Sequence, residues 1–165
     1  MRAASAPRRT MSGSSALAAA VGKAGRTDIP ALVELMAEFY AESSYALDRS
    51  WAAKSFGLLF DDARRGGAWI ARSGGANAGY VVLTLRHSME FGAPDGFIDD
   101  LFVRPEFRRR GVASSLLSAL FEQCRQDGVA ALHVEVGEDN AAAGALYREF
   151  GLAANGRRLL TAEIG

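Results

Sequence analysis

Between residues 29 and 60 the apolar positions recur every three or four residues. Leu32, Leu35, Met36, Phe39 and Tyr40 fall at i, i+3, i+4, i+7 and i+8, which is amphipathic helix spacing. Thr27 or Asp28 offers an N-cap, and Pro30 sits in the first turn, where its missing N–H does no harm. Trp51, Phe56, Leu59 and Phe60 mark a second, shorter helix. After Gly66 and Gly67 the pattern turns β-rich: "AWIARS" and "GYVVLTLRH" are joined by "GGANA", which reads as a hairpin. "GFIDDLFV" (96–103) predicts another strand. From Gly111 to about Asp127 the period is helical again, with Val112, Leu116, Leu117, Leu120, Phe121 and Cys124 on one stripe. "ALHVEV" (131–136) predicts a strand, "NAAAGALYREF" (140–150) a helix and "RRLLTAEI" a last strand, with Leu17 to Lys23 as the candidate for a first.

The strand-helix-strand unit from 97 to 136 implies a parallel pair joined by a right-handed crossover. Preceded by a hairpin, it predicts a mixed α/β sheet. At 165 residues the chain fits one domain, expected over 21–165 behind a tail at 1–20. The first 27 residues hold no acidic residue but carry Arg2, Arg8, Arg9, Lys23 and Arg26. They read as a disordered tail, with Met11 as an alternative start, or as a targeting segment.

Charge and cysteine content narrow the function classes. Lysine plus arginine equals aspartate plus glutamate at 19 each, so a general nucleic-acid binder is disfavoured and any basic site is local. Cys124 is the only cysteine, which rules out an intrachain disulfide and suits a reducing, cytoplasmic compartment. On its helical stripe it reads as core. His87 and His133 have no partners at metal-ligand spacing, so no metal is expected. No apolar run approaches the roughly 18 residues that would span a membrane.

The chemistry concentrates in "RPEFRRRGVASSLL". Arg108, Arg109 and Arg110 run into Gly111 at the start of a helix, where positive side chains oppose the helix dipole. A solvated charge run is the bland reading. An anion held by the free N–H groups would remove the conflict, with Gly111 allowing close approach and Ala113 keeping the next turn small. The spacing does not match a Walker loop and lacks the first two glycines of a dinucleotide fingerprint.

"RRRGVA" resembles the R/Q-x-x-G-x-G/A signature of the GCN5-related N-acetyltransferase (GNAT) family. "DDLFVRPEFRRRGVASSLL" resembles that family's strand-turn-helix block, and "NAAAGALYREFGL" its N-x-x-A-x-x-L-Y-x-x-x-G-F block. The resemblance implies an acetyl-CoA-dependent enzyme with no metal. Its fold would be a single-domain, mixed, mostly antiparallel sheet with a central, splayed parallel strand pair, flanked by helices. The N–H groups between Arg109 and Ser114, Val112 and Ala113 among them, would hold the pyrophosphate, with Arg108 at the motif position. Phe102 and Val103 would pair their backbone with the pantetheine arm, Asn140 would contact the pantetheine region, and Tyr147 would sit near the sulfur.

Acetyl transfer to an amine needs a base, an oxyanion donor and an acid for the departing thiolate. By the same resemblance Tyr147 is the acid, or else a core aromatic, and the Val103 N–H is the oxyanion donor. Asp99 and Asp100 are adjacent on a strand and so are expected on opposite faces. They resemble the Glu-Asp pair of the diamine acetyltransferase branch: Asp99 would be a water-mediated base and Asp100 the attractor of a cationic amine, or the reverse. Tyr40, Glu42, Tyr45 and Trp51 are candidate substrate walls, or simply core. Only about thirteen residues follow Leu152, room for one good strand, so a partner subunit in a homodimer is a candidate source of the missing wall. The expected function is acetylation of a small primary amine. The alternatives are acetylation of a protein N-terminus or lysine, and a silent acyl-CoA-binding module.

Overall fold

The computed structural model describes residues 19–164. Leu17 and the tail through residue 18 lie outside them. Five strands form one sheet in the order β1 (Ala20–Lys23), β2 (Gly66–Ser73), β3 (Ala76–Ser88), β4 (Ala93–Val103) and β5 (Ala131–Val134). All neighbours are antiparallel except β4 and β5, which are parallel and joined through a helix. The expected mixed sheet flanked by helices is therefore present.

Helices α1 (Ile29–Glu42) and α2 (Arg49–Asp61) cover one face. Leu32, Leu35, Met36, Ala52, Phe56 and Leu59 pack there on Ala68, Ile70, Tyr80, Val82 and Phe102. Helices α3 (Val112–Gln126) and α4 (Ala141–Glu149) cover the other, where Val112, Leu116, Leu117, Leu120, Cys124 and Tyr147 meet Trp69, Val81, Leu83, Ile98 and Val103. At about 25 cal/mol per Å2 of apolar surface removed from water, these two layers supply the main stabilising term.

Three local expectations change. Asp28 precedes α1 but does not cap it with its side chain; the carboxylate accepts from the Gly25 N–H at 2.9 Å and from Arg72 at 2.6 Å, tying the helix start to β2. Trp51 is 53% exposed and is not part of the α2 stripe. The helix is instead started by Asp48, whose Oδ1 accepts from the N–H groups of Ser50 at 2.8 Å and Trp51 at 3.0 Å. The hairpin turn contracts to Gly74 and Gly75, with φ of 58° and 81°, so the rest of "GGANA" joins β3.

The last strand expected from "RRLLTAEI" does not form. Leu159, Leu160 and Ile164 are 62%, 90% and 96% exposed. The adjacent leucines would have pointed to opposite faces of a strand. Arg157 is held by Glu90 at 2.8 Å, in the turn between β3 and β4. Among the described residues β5 keeps one edge without a strand partner, so the parallel pair lies at that side of the sheet.

Candidate active site

Pairing between β4 and β5 stops at Ile98 and Val134, and β4 runs on to Val103 with that edge open. The Arg104 N–H donates to the Ala78 carbonyl at 2.9 Å. In an antiparallel ladder this makes Phe102 with Tyr80 a hydrogen-bonded pair, and leaves the N–H and C=O of Leu101 and Val103 turned to the other edge, into the gap. Phe102 therefore gives the gap neither group. Its ring packs with Phe39 at 5.6 Å and Tyr80 at 6.4 Å on the α1 side. Opposite Val103 stands Gly79, where a Cβ would lie 2.4 Å from the Phe102 carbonyl oxygen, so only glycine permits this close approach.

The register of β3 and β4 shifts beside Val82: Val82 faces Asp100, and Leu83 faces Ile98. Asp99 is the extra residue of a β-bulge, and a bulge re-aims side chains. The expected opposite-face arrangement of Asp99 and Asp100 is thereby overturned. Tyr80 donates its hydroxyl to Asp100 at 2.9 Å, Thr84 hydrogen-bonds Asp99, and the Tyr40 hydroxyl feels the charge of both carboxylates. Tyr80, Val82 and Thr84 alternate onto one face of β3, so both carboxyls turn toward the α1 side.

Burial pushes the Asp100 pKa up to about 6, opposed by the Tyr80 hydrogen bond and assisted by the Asp99 charge. Asp99, exposed to solvent, is also raised, first by desolvation and also by Glu135, against the Thr84 hydrogen bond. Beside it Thr84, Leu85, Arg86, Phe97 and Asp99 line a cavity of about 210 Å3.

Tyr147 is buried on the α3 side, yet Asp100 still acts on it: burial, then that charge, raise its pKa to about 12. Its two readings are compatible, with the ring in the core and the hydroxyl within reach of the Asp100 charge. Asn140 caps α4, its Oδ1 accepting from the Ala143 N–H at 3.1 Å.

At the start of α3, Arg109 and Gly111 both adopt positive φ, 60° and 78°. A Cβ on Gly111 would meet nothing within 4 Å, so its glycine is required by conformation. No side chain caps this helix, which leaves the N–H groups of Val112, Ala113 and Ser114 free of intrahelical partners. Arg109 and Arg110 are exposed, and the Arg108 guanidinium is turned back to the Val103 carbonyl at 2.8 Å and to Glu42 at 2.7 Å. Glu42 thus faces an arginine. Tyr40 lies by the carboxylates, Tyr45 is 70% exposed and touches the Tyr40 ring edge at 6.5 Å, and Trp51 stands exposed at the start of α2.

The sequence reading missed Tyr80. Its signal was available: a phenol among aliphatics on a central strand needs a buried acceptor for its hydroxyl. His133 also acquires a role, bonding Asp95 at 3.1 Å while Arg86 grips that carboxylate at 2.7 and 3.0 Å, which links β3, β4 and β5. Among the described residues no group of three or more His, Cys, Asp and Glu is arranged to hold a metal ion, and no helix is long and apolar enough to cross a membrane.

The integron cassette protein HFX_CASS3, from the mobile metagenome of Cole Harbour Salt Marsh, is 37% identical, with a TM-score of 0.81 over 88% of this chain and 90% of that one. Aminoglycoside N-acetyltransferase AAC(6')-Iy in complex with CoA shares the fold at 18% identity and TM-score 0.76, over 88% of this chain and 94% of that one. So does the ribosomal-protein-alanine N-acetyltransferase of Brucella melitensis biovar Abortus 2308, at 22% and 0.72, over 90% and 100%. Among curated proteins there is no significant match. The model of the acetyltransferase (GNAT) family matches residues 29–152, from the first turn of α1 to just past α4, and takes in the open edge of β4, the uncapped start of α3 and Tyr147. The chain belongs to the GNAT family and is an acetyl-CoA-dependent N-acetyltransferase.

Proposed function

We propose that the protein acetylates a primary amine of a small cationic molecule, by direct attack on acetyl-CoA in a ternary complex. The observation that carries this reading is the bulge that turns Asp99 and Asp100 to one face beside the open edge of β4. Two carboxylates beside Tyr40 and Tyr80 suit an ammonium group. The likeness to an aminoglycoside N-acetyltransferase supports the same substrate class.

Asp100 is the ammonium anchor: a carboxylate with a pKa near 6 ionises fully when a cation binds beside it. Asp99 is in contact with solvent and removes the proton through a water molecule. The neutral amine then attacks the thioester carbonyl, the Val103 N–H receives the oxyanion, and the C–S bond breaks. A phenol at about 12 lies roughly 3–4 units above a thiol near 8.5, so full proton transfer to the thiolate is uphill by about 5 kcal/mol. Tyr147 therefore acts first as a hydrogen-bond donor to the departing sulfur. The free N–H groups from Arg109 to Ser114 hold the pyrophosphate, and Asn140 contacts the pantetheine arm. A homodimer, a cytoplasmic location and the absence of a nucleic-acid partner complete this reading.

The test is a thiol-release screen of polyamines, amino acids and aminoglycosides with acetyl-CoA, followed by kinetics of Asp99→Asn and Asp100→Asn on the best acceptor. Asp100→Asn should mainly raise the acceptor KM and Asp99→Asn mainly lower kcat; the opposite split exchanges their roles. If no small amine releases CoA while mass spectrometry finds acetylated protein N-termini or lysines, the small-molecule reading fails. If neither class is acetylated, the silent acyl-CoA-binding alternative replaces it.

A further inference from the structure

Arg108 holds the motif position beside the uncapped start of α3, yet its guanidinium is committed elsewhere. Nε donates to the Val103 carbonyl at 2.8 Å, and Nη2 donates to both Glu42 oxygens at 2.7 and 2.8 Å. The group also lies 5.7 Å from the centre of the Phe102 ring. Arg104 repeats the arrangement, gripping Glu38 at 2.8 and 2.7 Å and the Asn77 carbonyl at 2.9 Å. Glu38 and Glu42 are one helical turn apart, so α1 presents two carboxylates on one face to the two arginines that follow β4.

We propose that Glu42 and Arg108 are positioning residues that set the last peptides of β4, so that the Val103 N–H stands in the gap as oxyanion donor. The inference rests on the assignment of that N–H given above. The Val103 C=O and N–H point to the same edge but belong to the two peptides flanking its Cα, so an arginine on the carbonyl restrains the second peptide directly and the N–H through the φ and ψ of Val103. On the β3 side the Arg104 N–H bond to the Ala78 carbonyl closes the ladder, and on the gap side no strand among the described residues pairs with Val103. A guanidinium can bond a carbonyl and a carboxylate at once through its rigid fork, which the compact ammonium of lysine cannot reproduce. The Val103 carbonyl already accepts from Arg108, so at this residue the N–H is the open group facing the gap.

The experiment compares wild type, Glu42→Gln and Arg108→Lys with two donors: acetyl-CoA, and S-acetylpantetheine, which lacks the pyrophosphate. Loss of an oxyanion donor costs about 10²–10³ in kcat, so misplacing one predicts a fall of about tenfold in both variants. The fall should be the same with either donor, and the KM for acetyl-CoA should stay within about twofold of wild type. In parallel the Val103 amide resonance is followed in the unliganded proteins, and it should move in both variants. A loss confined to acetyl-CoA makes Arg108 a phosphate ligand and overturns the proposal. So does full activity in Glu42→Gln, or an unmoved Val103 amide. Should wild type acetylate no amine, the amide resonance still decides whether the relay exists, which separates its failure from that of the acetylation reading.

Discussion

Replacing Asp100 by Asn should stabilise the protein while disabling it. In the fold this carboxyl titrates at about 6 instead of its ordinary 3.8, chiefly because burial penalises the charge. A shift of roughly two units, at 1.36 kcal/mol each, makes the ionised group cost the fold about 3 kcal/mol. The sign follows from the direction. Below pH 3.8 the carboxyl is protonated whether folded or unfolded and no cost exists; between 3.8 and 6 the cost grows, and above 6 it is complete. Asn keeps an oxygen to accept from the Tyr80 hydroxyl, so that bond survives. Asp100 retains some solvent contact, so 3 kcal/mol is an upper bound, and for a domain of this length it corresponds to a Tm rise of at most about 10 °C. Thermal melts of wild type and Asp100→Asn across pH 3.5–8 measure it. The gap should open with rising pH and level off past 6, while kcat/KM falls at least about 100-fold at pH 7.5. A gap that is constant with pH, or that closes as pH rises, would refute the argument that this carboxylate is held against its solvation preference.

Tyr80→Phe removes the hydrogen bond that lowers the Asp100 pKa, so the acid limb of the kcat/KM profile should move above 6; a downward move would contradict the assignment. Tyr147→Phe should lower kcat by about 10- to 100-fold while calorimetric affinity for acetyl-CoA stays nearly unchanged; an unaltered rate removes the hydroxyl from the reaction. Gly79→Ala drives a Cβ to 2.4 Å from the Phe102 carbonyl, and should lower the Tm by several degrees and kcat with it. Cys124, buried with its thiol raised to about 11, should react with a thiol reagent only after denaturation, which keeps CoA-release assays free of protein background.

Much of the fold was readable because α1 and α3 carry helical periods that bury the residues their spacing selects, and β2 and β3 are apolar runs joined by a Gly-Gly turn. Residues 157–164 misled because β-type composition does not supply a strand partner, and Leu159, Leu160 and Ile164 stay exposed. Among the residues the motif singled out, Gly111 takes a positive φ at the start of α3, Asn140 caps α4 and Tyr147 is buried. The arrangement of Asp99 and Asp100 was not legible, because alternation along a strand assumes an unbroken ladder and a bulge is set by how two strands register. The commitment of Arg108 to Glu42 was equally hidden: it joins residues 66 positions apart, and only the packing of α1 against the end of β4 brings them together.

The bulge also bears on how an acceptor reaches the enzyme. Equal numbers of acidic and basic residues give this chain no net charge, so it offers no long-range pull on a cation. By turning Asp99 and Asp100 to one side, within reach of the Glu135 charge, the fold concentrates negative potential at one mouth. Field lines from such a cluster raise the encounter rate of a cationic acceptor and are damped over roughly 8 Å at physiological salt. One additional residue in a strand thus gives a neutral protein a directional attraction, felt by an amine in its last approach.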